Sequence, residues 1–265
     1  MFRIPARIAG AAALTISLSG VVATAQPSKT LNVVNAASGA LTVAPESIAS
    51  AFGLQIGAST QAALSLPLPT SLGGVSVDLT DAKGVPAMGS LFYVGPNQIN
   101  LVIPASVAIG KATVKILNGT ATPPTTTVQI AAVAPGLFTA NGAGTGVAAA
   151  IAIRRSIDTQ TDTEIPLFHC DANGCTSMPI DLTAGTQVFI ELFGTGIRGR
   201  SALNNVTASL GGVSTPVLFA GAQGQFPGLD QVNVVIPQNS NLHGEQDLVL
   251  TVDGLPANAV RINVK

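Results

Sequence analysis

The sequence predicts an all-β chain made of two tandem β-sandwich domains behind a removable leader. Three observations carry this. The 265 residues are 47% hydrophobic and only 9% charged, yet the apolar residues come in short runs broken by Gly, Pro, Ser and Thr, with 28 Gly and 17 Pro in all. That texture suits many short strands rather than long helices or disorder. The same motifs recur in the same order in the two halves. No window after the leader shows a helical apolar stripe.

The leader occupies residues 1–25. Arg3 and Arg7 give it a positive start, Ile8 to Ala23 is apolar and small, and Ala23-Thr24-Ala25 offers a cleavage site before Gln26. The expectation is a signal peptide, a secreted or periplasmic protein, and no membrane insertion after cleavage. The remaining chain carries ten Lys+Arg against thirteen Asp+Glu, a net charge of −3. It has no basic stripe to neutralise phosphates, which argues against nucleic acid and against an anionic membrane surface.

Two copies of one fold are expected over residues 26–133 and 134–265. Phe52-Gly53 maps onto Phe193-Gly194, Leu72–Ser76 onto Leu210–Ser214, Gln98–Pro104 onto Gln231–Pro237, and Asn118-Gly119 onto Asp253-Gly254, at offsets of 141, 138, 133 and 135. A drifting offset in constant order reads as a duplication with loop insertions. Strands are predicted over 47–52, 74–79, 91–94, 98–103, 112–117 and 126–131. In the second copy they are predicted over 187–193, 206–210, 215–219, 231–236, 247–252 and 259–264. In the strand from Gln98, Ile99, Leu101 and Ile103 face one way and Gln98, Asn100 and Val102 the other, which predicts burial on one face only. Pro104 and Pro237 end these strands. Roughly seven strands per ~100 residues is the immunoglobulin-like pattern. A Pro135-Gly136 step suggests a short, stiff connection between the copies.

The order Pro45–Gly53, then Leu-Gly-Gly-Val-Ser, then Phe92–Pro104, then Gly110–Val114 resembles a family of secreted bacterial domains of uncharacterised role. These look like relatives of the IPT/TIG immunoglobulin-like fold. The resemblance implies two such domains here, in a family that often forms C-terminal modules of larger extracellular proteins. The family has no established catalytic residues, so none is carried over.

The remaining residues point weakly to chemistry. Cys170 and Cys175 are the only cysteines and flank a four-residue loop. In an oxidising compartment such a pair is expected to bridge across a hairpin. A turn centred on Asn173-Gly174 would instead set Cys170 opposite Ser177. Zinc on Cys170, Cys175 and His169 lacks a fourth ligand. Gly194–Gly199 fits G-x-G-x-x-G, but no helix pattern follows to hold a pyrophosphate, so a tight turn is expected. His169 and His243 sit in no recognisable triad, and no cofactor is expected. Asp158, Asp162 and Glu164 form an acidic loop, a weak calcium candidate without EF-hand spacing. Phe52, Phe92, Phe189 and Phe193 read as core.

The function expected is a non-enzymatic structural or binding module that meets an envelope or extracellular protein. A polysaccharide-binding module is the first alternative, disfavoured by one Tyr and no Trp; a secreted hydrolase is the second. Recognition is expected in the second-copy stretches 154–181 and 221–230, with Phe226, Gln225, Arg198, Arg200 and Tyr93 as candidate contacts.

Overall fold

A computed structural model describes residues 30–238 and 242–265; the expected leader lies outside the described residues. In the first half the strands are β1 (Asn32–Asn35), β2 (Thr42–Val43), β3 (Ile48–Phe52), β4 (Gln61–Ala62), β5 (Ser71–Leu72), β6 (Val75–Thr80), β7 (Pro86–Met88), β8 (Ser90–Val94), β9 (Gln98–Val102), β10 (Gly110–Leu117) and β11 (Thr125–Ile130). The second half contributes β12 (Gly136–Leu137), β13 (Ala150–Ser156), β14 (Asp162–Ile165), β15 (Phe168–Asp171), β16 (Gly174–Ser177), β17 (Thr186–Thr195), β18 (Val206–Leu210), β19 (Val213–Thr215), β20 (Val217–Ala222), β21 (Asp230–Val235), β22 (Gly244–Val252), β23 (Leu255–Pro256) and β24 (Val260–Val264).

Each half is a sandwich of two sheets. In the first, β1-β3-β9-β8-β4 faces β2-β11-β10-β6-β5, with β7 beside β6. In the second, β14-β13-β17-β21-β20, with β12 on β17, faces β19-β18-β22-β23, with β24 on β22. The fold is all-β and immunoglobulin-like. Period-two alternation builds both cores: Val75, Val77 and Leu79 of β6 meet Ala112, Val114 and Ile116 of β10 in one, while Val206, Ala208 and Leu210 of β18 join Leu248, Leu250 and Val252 of β22 in the other. One core draws its buried residues from Leu31 to Ile130, the other from Val133 to Val264.

Four expectations change. First, the strand from Gln98 is buried on both faces, with Asn100 only 1% exposed. A third apolar cluster explains this: Ala37, Ile48 and Phe92 of the first half pack with Phe138, Ala149, Ile151, Phe193 and Leu229 of the second. The outer face of one sandwich is thus covered by the other. Second, neither sandwich core has a buried Phe. Phe92 and Phe193 belong to the cluster between the halves, and Phe189 lies beneath the Arg155 guanidinium at 5.2 Å. Phe52 sits at an outward position of β3, in register with Gln98. Third, the strand expected over 215–219 breaks at Pro216, which cannot donate to the ladder, into β19 and β20.

Fourth, the identical Leu-Gly-Gly-Val-Ser segments are not equivalent places in the fold. In both, Gly-Gly forms a two-residue hairpin turn with positive φ at each glycine, and Leu pairs with Val across it. In the first half the turn joins β5 to β6, the strand that pairs with β10. In the second it joins β18, the strand that pairs with β22, to β19. The pentapeptide encodes a turn, and the two copies use that turn on opposite sides of the equivalent strand. The Phe-Gly, Gln-x-Asn and Asn/Asp-Gly motifs do occupy matching positions. On β9 the Gln98 amide donates to Asn100 Oδ1 at 2.9 Å, and on β21 Gln231 donates to Asn233 Oδ1 at 2.8 Å.

Candidate functional site: the seam between the halves

The residues that diverge most informatively between the copies converge on one place. The chain leaves β11 and runs from Ala132 to Gly136 across the turn Gly194–Gly199. A side-chain carbon on Gly194, Gly196 or Gly199 would overlap the carbonyl of Gly136, Ala134 or Ala132 respectively. The G-x-G-x-x-G spacing is therefore a bare backbone groove in which the connecting segment lies. No helix follows it, as expected.

The connection is also hydrogen-bonded along its length. Ala134 N–H donates to the Gly196 carbonyl at 2.9 Å, and the Ala134 carbonyl accepts from the Asn35 amide at 2.8 Å. Leu137 pairs with Gly194 as part of β12, and its N–H donates to Asn258 Oδ1 at 2.8 Å. Thr195, fully buried, accepts from the Ile48 N–H at 2.7 Å and donates to the Gly228 carbonyl at 2.8 Å. One hydroxyl thus ties both halves to the 221–230 insertion.

Asp230 is the second node. Its carboxylate, buried, accepts from the N–H groups of Ile197 (2.7 Å) and Arg198 (3.2 Å) and from Arg198 Nε (2.7 Å). Burial pushes this carboxyl upward, while those donors and the guanidinium charge pull the other way. Arg198 also donates to the Leu229 carbonyl at 2.9 Å and reaches Glu46 of the first half at 3.5 Å.

The sequence-derived candidates fall as follows. Arg198 belongs to the seam. The 221–230 insertion is split: Gly228 abuts Ile48 and Leu229 joins the cluster between the halves, whereas Gln225 and Phe226 stay exposed at its tip. Arg200 lies beside Gly221, and its Nε is buried without a hydrogen-bond partner. Tyr93 sits in an irregularity of β8, opposite Asn100 on one side and Ala62 on the other. Cys170 and Cys175 form a disulfide across β15 and β16, with Cα atoms 4.0 Å apart and Ala172-Asn173 as the turn. The register with Cys170 opposite Ser177 is not adopted. Ser177 donates to Glu245, which fastens this hairpin to β22.

The acidic loop is largely a strand: Asp162 and Glu164 lie in β14. Arg155 holds Asp162 through two bonds of 2.7 Å, which keeps that carboxyl below its usual range. Asp158 stays in the preceding turn. Among the described residues no group of three His, Cys, Asp or Glu converges as metal ligands would. A shallow polar dish of about 430 Å³ opens beside Asp253. Its groups bond one another: Asp253 accepts from the Ser201 N–H at 2.8 Å and hydroxyl at 2.6 Å, and Asn205 donates to that hydroxyl. Asn118 does the equivalent job in the first half by donating to the Gln55 carbonyl at 3.2 Å.

Sequence reasoning missed Thr195, Asp230, Asn35 and Asn258. The signal for two of them was present. Thr195 stands where the first copy has Leu54, and Asp230 where it has Asn97, each beside a shared motif.

No family model matches the chain, and no curated protein matches it. Among solved structures it is similar to domains 5–6 of the S-layer protein SbsC, at 14% identity over 89% of this chain and 96% of that one, with a TM-score of 0.27. It is also similar to tandem immunoglobulin domains of titin, at 9% identity over 89% and 96%, with a TM-score of 0.24. At these scores neither likeness speaks to function.

Proposed function

We propose that this chain is an exported, non-catalytic structural module, a fixed pair of immunoglobulin-like sandwiches that engages a protein partner at the cell envelope or outside the cell. The observation that carries the reading is the seam. The motif that most resembles a ligand site, Gly194–Gly199, and the charged pair beside it, Arg198 and Asp230, are occupied in holding the two halves together. A chain whose polar inventory is used to set one geometry between two sandwiches suits positioning rather than turnover. The disulfide fits an oxidising compartment. The motif order fits the IPT/TIG-related secreted family that the sequence resembles.

The test is co-sedimentation of the purified protein with envelope fractions and with a panel of insoluble polysaccharides, in calcium and in EDTA. Saturable, EDTA-insensitive retention by envelope protein supports the module. Retention on one glycan alone would replace it with a polysaccharide-binding role centred on exposed Phe226. Absence of binding to every fraction would remove the envelope assignment.

A further inference from the structure

The two copies differ in what lies along the outer edge of one equivalent strand. In the first half, β4 pairs with β8: Gln61 stands opposite Val94, Ala62 opposite Tyr93, and Ala63 N–H donates to the Phe92 carbonyl at 2.9 Å. The equivalent strand in the second half is β20. The equivalence is set by register, since β8 and β20 share the same irregularity. Leu91 and Tyr93 oppose Leu101 and Asn100 of β9, with Phe92 as the extra residue. Val217 and Phe219 oppose Val234 and Asn233 of β21, with Leu218 as the extra residue. β20 ends its sheet, and no strand takes the place of β4. The segment that supplies β4 in the first half runs from Gly53 to Ser71; its second-half counterpart is cut to the few residues between Thr195 and β18, with a 3-10 turn at Leu203–Asn205.

The uncovered edge is apolar and free of charge. Leu218, Phe219 and, in the adjoining loop, Phe226 are 42%, 38% and 53% exposed. No Asp, Glu, Lys or Arg occurs between Arg200 and Asp230. Edge strands of proteins that stay monomeric are ordinarily blunted by charge, by shortness or by a covering segment. The other edges here follow that rule. β14 carries Asp162 and Glu164. β24 is covered by backbone bonds to Gly146, Ala148 and Ile180. β4 has only two residues, against six in β20. The irregularity in β20 is no obstacle, because the same one in β8 accepts β4.

We propose that β20 pairs with β20 of a second copy of this chain, antiparallel about a two-fold axis. Leu218 and Phe219 of each copy then shield those of the other. A two-fold places like residues near like residues, so a strand without charge is self-compatible where β14 is not. The partner strand takes the place that β4 fills within the first half, which is why an uncharged strand is the fitting occupant.

Sedimentation velocity on the purified protein over a concentration series tests this. The expected result is a concentration-dependent shift to twice the monomer mass. Leu218→Lys and Phe219→Lys put like charges across the axis and should weaken association by at least about tenfold, with melting unchanged because both side chains are exposed. Leu64→Lys, at a 99% exposed position beside β4, should leave the dimer intact. A wild-type protein that stays monomeric up to its solubility limit overturns the proposal. So does a dimer that survives both β20 variants, or one that Leu64→Lys breaks.

Discussion

Replacing Thr195 with Val keeps the shape of the side chain and deletes its hydroxyl. In the folded chain that hydroxyl accepts from Ile48 N–H at 2.7 Å and donates to the Gly228 carbonyl at 2.8 Å, with no solvent contact. The variant leaves a buried N–H without an acceptor, and a buried polar group left unpaired costs about 1–3 kcal/mol. The carbonyl of Gly228 loses a donor as well, so the seam should weaken by about 2–3 kcal/mol. At about 1.4 kcal/mol per decade this is a roughly 30- to 150-fold increase in the open population. Hydrogen exchange at the Ile48 amide reads that population directly, and urea unfolding gives the accompanying midpoint shift. Thr195→Ser keeps both bonds and loses one methyl group, at about 1 kcal/mol. If the Val variant protects the Ile48 amide as well as wild type does, the hydroxyl does not tie the halves. If Ser is as damaging as Val, the methyl packing matters and the hydrogen bonds do not.

Further outcomes follow from the same geometry. Arg198→Met strands the buried Asp230 carboxylate beside its two backbone donors, and removing one partner of a buried pair costs about 3–5 kcal/mol, read as a lowered urea midpoint. Gly199→Ala pushes a methyl into the Ala132 carbonyl, so it should cost about 1–3 kcal/mol in thermal unfolding although the residue is on no strand. Asp81 accepts from the N–H groups of Val85, Ala108 and Lys83, which hold its carboxyl below the ordinary 3.8. Its folded value is depressed, so its stabilisation is present above that ordinary value and is lost as pH falls through the folded one. Asp81→Asn should flatten the acid limb of the stability curve, and an unchanged limb would count against this role. Glu191 behaves oppositely. Burial, with Glu164 nearby, raises its carboxyl above the ordinary 4.5. A raised folded value favours the folded state on the acid side, and that contribution fades as pH rises through it. Glu191→Gln should therefore raise the melting temperature at neutral pH relative to wild type and leave it little changed in acid.

Much of the fold was legible because it is local. Period-two alternation located β6, β9, β10, β18, β21 and β22 to within one to three residues, since the inward face of a sandwich strand must be apolar. Proline and the Gly-Gly, Asn-Gly and Asp-Gly pairs marked the turns. What was not legible depends on partners distant in sequence. Asn100 reads as a solvent-facing polar residue, and its burial comes from the other half. β13 and β14 were hidden because Arg154, Arg155, Asp162 and Glu164 look like loop residues, whereas Arg155 stacks on Phe189 and holds Asp162. The glycines of the 194–199 turn fitted a phosphate loop by spacing alone. Their reason is the passage of residues 132–136 over them, which no local pattern records. The exposed tip at Gln225 and Phe226 was legible as an insertion, but the packing of Leu229 beneath it was not.

The cluster between the halves changes what counts as the minimal protein. Ancestry points to one sandwich as the unit that was copied. Cut at residue 133, however, the first piece would present Ile48 and Phe92 to water, and the second would present Ile151, Phe193 and Leu229. Each fragment would carry an apolar scar of the kind that drives aggregation. The duplication has thus become obligate: neither half remains a free-standing descendant of the ancestral domain, and any rearrangement of the gene that inherits one without the other inherits a sticky surface.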